Sequence, residues 1–496
     1  MMPWFVLLLV AWGALAFGAV YPWARWTLLA LCVIAGAWGF LRPAPPERRR
    51  IHGAVLAALG AVALAVLLQL VPLDRGTLRR WSPATDEFLM QYDLRYAAAV
   101  RFAGRFRAAA PGDGTGTTAD AGSGAAAAPA PEAARASHAL SIDPPKTRVG
   151  LAMLVGFAFM LLGLARGLGG GDLRVIAPGL AALGVLMAMI GIVQRALWAG
   201  KVYGFWEPIN KNVTAFGPFI NRNHFAGWML LAIPVAAACV ASAAARGMAG
   251  VSPGWRNRVL WFSTPAASRA VLVGFALLAM GLALALTLSR SGIAGFLVAM
   301  VLSALHVLRR QRASAKGRVL STCLVLVFAA AIAWVGIDAV ADRFAALDWQ
   351  LAGRAGAWED AWRIHRAFPW FGIGLNTYGS ATVLLQQFER ATHHFIEAHN
   401  DYLQLLVEGG WLVAVPALAL VLVFAREVRK RFREGRDDRT GYWIRLGAVT
   451  GIVAIALQEI VEFSLQMPGN AALFTVLCAI AMRRATAKRG GQRPAA

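Results

Sequence analysis

Charge is scarce in this chain. Only 15% of its 496 residues are Asp, Glu, Lys or Arg, against 58% hydrophobic ones, and that shortage excludes an ordinary soluble globular protein. Cysteine is scarcer still. The four present, Cys32, Cys239, Cys323 and Cys478, lie far apart inside apolar blocks. They read as small core hydrophobes and argue against a disulfide framework or a thiolate metal site. The opening Met1-Met-Pro-Trp carries no Lys or Arg, so it lacks the basic stretch that precedes a cleaved signal sequence. The first apolar block is therefore expected to stay as a permanent span. An internal repeat of the kind that builds many carriers is also missing.

What is abundant is apolar sequence in blocks of the length that crosses a bilayer as a helix. Spans are expected at about 4–20, 24–41, 53–72, 148–166, 175–197, 225–245, 269–288, 293–308, 319–337, 410–425, 443–465 and 469–482. The fold class is then an all-α polytopic membrane protein, with about twelve transmembrane helices and a large helical loop between spans nine and ten. Basic residues cluster on alternate connections: Arg42 with Arg48 to Arg50, Arg246 with Arg256 and Arg258, Arg309 to Arg312, and Arg429 to Arg431. The bias of Lys and Arg toward the cytoplasm puts those connections and both termini inside. The formal charge of +23 is thus mostly a topology signal, plus attraction to anionic lipid, and not a nucleic-acid footprint.

Five regions follow. Residues 1–72 carry three spans. Residues 73–147 form a periplasmic loop that opens with an Arg-rich stretch and passes into an Ala/Gly/Pro tract near 108–135, too poor in large apolar residues to build a core and expected to be disordered. Residues 148–337 hold spans four to nine. Residues 338–409 form the large periplasmic loop, whose Trp349, Trp358, Trp362 and Trp370 suit packing against the membrane surface. Residues 410–496 hold the last three spans and a basic cytoplasmic tail.

The polar side chains that could do chemistry gather at the outer face. Three of the eight histidines, His393, His394 and His399, fall within seven residues just before span ten. Read as a helix, that stretch puts His399, Tyr402, Leu403 and Leu406 on one face, with Gly409-Gly410 breaking the helix before the span. His399 is the candidate general base, because the ordinary pKa of imidazole suits proton acceptance near neutral pH. Arg222 sits at the outer start of a span, and Arg290 is the one charged residue in the short turn Thr287-Leu-Ser-Arg-Ser-Gly292. A single interfacial Arg can simply reach lipid phosphate. Two on the leaflet that bears the histidine suggest a site for a lipid-linked phosphate or diphosphate, which guanidinium grips with two parallel hydrogen bonds. Gln458, Glu459 and Glu462 are polar residues inside a span, with Glu459 and Glu462 sharing a face at i, i+3. Pairing with an Arg of the site and proton transfer are both open to them. The cluster His393, His394, Glu397, His399 and Asp401 matches no zinc spacing, so no metal or other cofactor is expected.

Several separated motifs, in order, resemble the bacterial O-antigen ligase and O-antigen polymerase superfamily of membrane glycosyltransferases. They are Phe219-Ile-Asn-Arg-Asn-His-Phe-Ala-Gly227, Ser289-Arg-Ser-Gly292, Gly353-Arg354 with Trp358, Pro369-Trp-Phe-Gly-Ile-Gly-Leu-Asn-Thr-Tyr378, and His399-Asn400 followed after nine residues by Gly410. The likeness runs from about 148 to 480. It implies an inner-membrane enzyme that takes a glycan from undecaprenyl diphosphate at the periplasmic face and gives it to an acceptor hydroxyl, without nucleotide sugar or a required metal. Carried over by residue, Arg222 and Arg290 would hold the diphosphate and His399 would activate the acceptor. Arg354, Asn400, Tyr402 and Glu462 would contact the acceptor or support those groups. The long tract near 108–135 and the acidic Gln458-Glu459 pair depart from the family pattern.

The acceptor is lipid A–core for a ligase, to which His-Asn-x9-Gly leans, or another lipid-linked repeat for an O-antigen, capsule or exopolysaccharide polymerase. A protein acceptor, as in an oligosaccharyltransferase, is a third class. From outside enzymology comes the transporter, for which twelve spans with both ends inside is a common layout. A transporter places its polar residues at mid-membrane; here they cluster at one face.

Overall fold

The computed structural model describes residues 1–49, 52–109, 137–209, 214–247, 256, 263–310, 347–387, 394–435 and 439–485. The expected span 319–337, Cys323, His393 and most of the 108–135 tract lie outside these residues. Among them the chain is helical. In order run α1 (Met2–Leu15), α2 (Pro22–Leu41), α3 (Gly53–Leu68), β1 (Leu73–Asp74), α4 (Arg75–Trp81), α5 (Pro83–Tyr92) and α6 (Leu94–Ala109). After β2 (Ser137–His138) come α7 (Pro144–Gly167), α8 (Gly170–Ala196), α9 (Arg222–Gly247), α10 (Pro265–Leu286) and α11 (Arg290–Arg310). The chain closes with α12 (Leu347–Ala367), α13 (Tyr378–Leu385), α14 (Asp401–Glu434), α15 (Arg439–Gln458) and α16 (Pro468–Met482). Seven helices among the described residues are long and apolar enough to span a bilayer, and four shorter apolar ones, beginning at Met2, Val271, Arg290 and Pro468, stand where spans are expected. The protein is an all-α polytopic membrane protein.

The bundle is built around α9. Its apolar window is 89% buried, against 28–61% for the other six long spans, so it is a core helix and not a lipid-facing one. It packs on α8, α10, α11, α15 and α16. With hydrocarbon on every side there is little hydrophobic gain in bringing helices together, and close backbone approach takes over. At the α2–α7 crossing, a Cβ placed on Gly39 would run into the carbonyl of Gly163.

At the end of the bundle where α9 and α11 begin, two loops fold into one cap. Asp74 caps α4 by accepting from the Gly76 and Thr77 N–H groups, and Pro83 starts α5. Leu78, Phe88 and Tyr96 of the first loop then pack with Ile364, Phe368, Tyr378 and Val407 of the second in a core of their own. The stretch rich in arginine is therefore helical as far as Ala109, including the first two residues of the tract expected to be disordered. β1 and β2 pair antiparallel, Leu73 opposite His138, so the start and the end of the first loop meet at one place.

The cap is clamped to α14 at a kink. Gly410 sits at φ 56°, ψ −167° inside that 34-residue helix, a conformation essentially reserved for glycine. The interrupted ladder leaves backbone groups that the segment 369–374 takes up. Trp411 N donates to Pro369 O at 3.0 Å, Leu412 N to Trp370 O at 2.9 Å, and Gly374 N to Glu408 O at 2.9 Å. Gln69, at the end of α3, donates to the Phe371 and Glu408 carbonyls. The glycine pair thus breaks the helix before the span, as the sequence suggested, and two helical segments meet at this kink.

Candidate functional site

Two segments meet at this end of the bundle: the turn entering α14 and the turn leaving α15. Each differs from its sequence-based expectation. His399 is not on a helix face. It precedes α14, with φ of +53°, and Asn400 is the cap, its Oδ1 accepting from Leu403 N at 2.9 Å. The Asn side chain competes for the backbone and so starts the helix after the histidine. A left-handed non-glycine residue costs about 1–3 kcal/mol unless its surroundings hold it. Here Gln404 Oε1 accepts from Ala398 N at 2.8 Å, and Asp401 N donates to Glu459 O at 3.1 Å. Likewise, α15 ends at Gln458. Glu459 and Glu462 lie in the turn beyond it, not on a shared helical face.

That turn carries Glu462 into the site. Its carboxyl is fully buried. Oε1 pairs with Arg354 from α12 and accepts from Asn223 Nδ2 at 2.8 Å. Oε2 faces His399 Nδ1 at 3.8 Å, ion-pair range and too long for a hydrogen bond. Phe463 stands between two imidazoles, edge-on to His224 at 4.7 Å and to His399 at 4.8 Å. Four elements therefore converge: α9 through Asn223 and His224, α12 through Arg354, the α14 turn through His399, and the α15 turn through Glu462.

Arg290 opens α11 after Leu288, another left-handed residue (φ 53°). Its guanidinium lies close enough to Arg354 for the two like charges to act on each other. Helix α11 meets α9 tightly there; a Cβ on Gly292 would stand 2.9 Å from the Ala226 Cβ. Arg222 opens α9 beside Asn223, its N–H bonded to Thr214 O at 2.9 Å and its side chain half-buried. Arg222, Arg290 and Arg354 outnumber the carboxylates of Glu462 and Asp401 and leave this corner cationic, which suits an anionic ligand.

The remaining expected residues sit nearby in other roles. Tyr402 donates its hydroxyl to Ala456 O at 2.7 Å, tying α14 to the end of α15. His394 Nε2 lies 3.0 Å from Gly379 O, fastened to α13 and away from the Glu462 cluster. Glu397 accepts from Gln404 Nε2 at 2.6 Å, and burial pushes its pKa up to about 8. Sequence reasoning passed over Asn223, His224 and Phe463. The first two were visible inside the Asn-rich motif at 219–227, whereas Phe463 carried no signal beyond its place next to Glu462.

The fold and this corner define a membrane protein with a cationic, histidine-bearing site at one end of its helical bundle. Residues 275–418 match the O-antigen ligase family model, so over that stretch the chain is similar to a family whose members are glycosyltransferase-like enzymes. The matched stretch contains Arg290, Arg354, His399, Asn400 and Tyr402, while Arg222 and Glu462 lie outside it. No curated protein matches the chain.

Proposed function

We propose that the protein is a membrane glycosyltransferase of the O-antigen ligase type. It moves a glycan from undecaprenyl diphosphate to an acceptor hydroxyl of lipid A–core, at the periplasmic face of the inner membrane, with both termini in the cytoplasm. The observation that carries this reading is the His399–Glu462–Arg354 constellation beside Arg290, inside and next to the matched family domain. In the reaction the acceptor oxygen attacks the anomeric carbon while the bond from that carbon to the diphosphate breaks. His399 takes the hydroxyl proton through the nitrogen turned away from Glu462, and the buried carboxylate stabilises the imidazolium that forms, as a carboxylate does behind a catalytic histidine elsewhere. Arg222 and Arg290 hold the diphosphate and take up the charge it gains on leaving. Arg354 supports Glu462 and adds to the cationic field. Asn400 and Tyr402 fix the turn that presents His399.

A polymerase of the same superfamily, which passes the glycan to another lipid-linked repeat, uses the same chemistry on a different acceptor. A deletion strain complemented with the wild type or with His399→Ala separates the two, with lipopolysaccharide and lipid-linked polymer profiled side by side. Long glycan missing from lipid A–core, with polymer still accumulating on the lipid diphosphate, supports the ligase. Single repeats in place of polymer support the polymerase. Unchanged glycans in the deletion strain contradict both.

A further inference from the structure

Glu459 is the anomaly of this corner. The residue is 1% exposed, and neither carboxyl oxygen receives a hydrogen bond from an N–H or O–H donor of the described residues. The neighbour it meets is another acid: Asp401, whose N–H donates to Glu459 O at 3.1 Å, and the two carboxyls act on each other across this seam. Two charged carboxylates side by side in a dry site repel, and neither has a hydrogen to give. A proton held on one of them turns that repulsion into a hydrogen bond. Burial pushes the Asp401 carboxyl up to about 6, but the hydrogen bond it accepts from Gln466 Nε2 at 2.7 Å offsets part of that; Glu459 accepts no such bond from the described residues, so of the two it is the one that keeps the proton. Burial first, then the neighbouring Asp401 and Glu462, hold the Glu459 carboxyl well above its ordinary pKa.

We propose that Glu459 is a positioning residue that acts as a neutral acid, its proton bridging to Asp401 and locking the turn that carries Glu462 to the turn that carries His399. The lock has a short lever arm. Asp401 is two residues after His399, and Glu459 three before Glu462. The main chains are also joined, Asp401 N to Glu459 O, and Gln466 Oε1 accepts from Gln404 Nε2 at 3.2 Å on the far side. The titratable and charged groups around Glu459 are Asp401 and Tyr402 from α14 and Glu462 from its own turn, with Arg354 of α12 and His224 of α9 beyond Glu462. Removing the bridging proton sets two adjacent carboxylates against each other across the seam that fixes the 3.8 Å His399–Glu462 separation. A misplacement of about 1 Å at a catalytic group costs on the order of a hundredfold in rate.

This inference rests on His399 being the base. The test uses the full-length protein in membrane vesicles with a lipid-diphosphate-linked glycan, measuring transfer from mildly acid to alkaline pH. His399→Ala, Glu459→Ala and Glu459→Gln are compared at matched protein level. Glutamine keeps an N–H to give to Asp401 and cannot ionise. Glu459→Gln is therefore expected to transfer near the wild-type rate at neutral pH and to hold its activity to higher pH than the wild type. Glu459→Ala is expected to lose about ten- to a hundredfold in kcat with little change in donor KM. A Glu459→Gln protein that is present but inactive, or whose alkaline fall coincides with that of the wild type, overturns the proposal. Activity in His399→Ala overturns instead the function on which it rests.

Discussion

His399 Nδ1 and Glu462 Oε2 face each other across 3.8 Å, though 63 positions separate them in the sequence numbering. Glu462 is completely buried and spends its other oxygen on Arg354 and Asn223. It is thus held in place by two elements while a third, the turn entering α14, brings the imidazole to it. In the proposed reaction a carboxylate so placed offsets the positive charge that the imidazole gains when it takes the acceptor's proton.

Glu462→Gln should therefore lower transfer by about a hundredfold or more while the protein still inserts. The amide keeps the shape but not the charge that offsets both Arg354 and the imidazolium. Initial transfer rates in membranes, normalised to immunoblotted protein, test this; activity within a factor of about two of the wild type would remove Glu462 from the mechanism.

Arg290→Lys should lose most activity, about 10²-fold if the guanidinium supplies a transition-state donor. Lysine retains the charge but lacks the planar fork that grips two phosphate oxygens. The same preparation should bind inorganic diphosphate or the lipid-linked donor more weakly. Near-normal transfer would count against a diphosphate role.

The kink in α14 should be intolerant of even one methyl group. A Cβ on Gly410 would lie 2.5 Å from both Gly372 N and Trp370 O, and the backbone conformation itself costs a non-glycine residue about 1–3 kcal/mol. Gly410→Ala is expected to lower the melting temperature in detergent and to loosen protease protection of the cap before it affects the bundle. An unchanged melting profile would mean that the clamp at 369–374 is not what holds the cap.

Stability should also fall with rising pH through Glu397. Its folded-state pKa, pushed up to about 8 by burial, is above the ordinary glutamate value, so the folded protein holds a proton that the unfolded chain has released. Between the two values folding takes up a proton, and stability declines as pH rises toward 8. Glu397→Gln should flatten that decline, read as melting temperature against pH. An identical slope in both proteins would show that Glu397 contributes nothing to it.

Much of the architecture was legible because bilayer thickness writes itself into sequence as block length, and the long apolar helices fall where the apolar blocks do. Arg290 could be found for a related reason: a charge in a short turn between two apolar spans has few places to go. Hidden from sequence were the points where local bonding overrides periodicity. Nothing like a Gly or Pro marks the end of α15 at Gln458, so Glu459 and Glu462 read as a helical pair although they are presented by a turn. His399 reads as helical for the same reason, until Asn400 is seen capping the helix behind it. The cap shared by the two loops was equally out of reach, since Leu78, Phe88 and Tyr96 become a core only when Ile364, Phe368 and Tyr378 are laid against them.

In the proposed function His399 performs the chemistry at a site whose binding groups stand without it. The most direct test measures donor binding and glycan transfer on the same purified His399→Ala protein in lipid vesicles, with a lipid-diphosphate-linked glycan as ligand. Donor affinity is expected to stay close to that of the wild type, and transfer to fall by about 10²–10⁴-fold. Transfer that persists in proportion to the donor bound would contradict that role for His399.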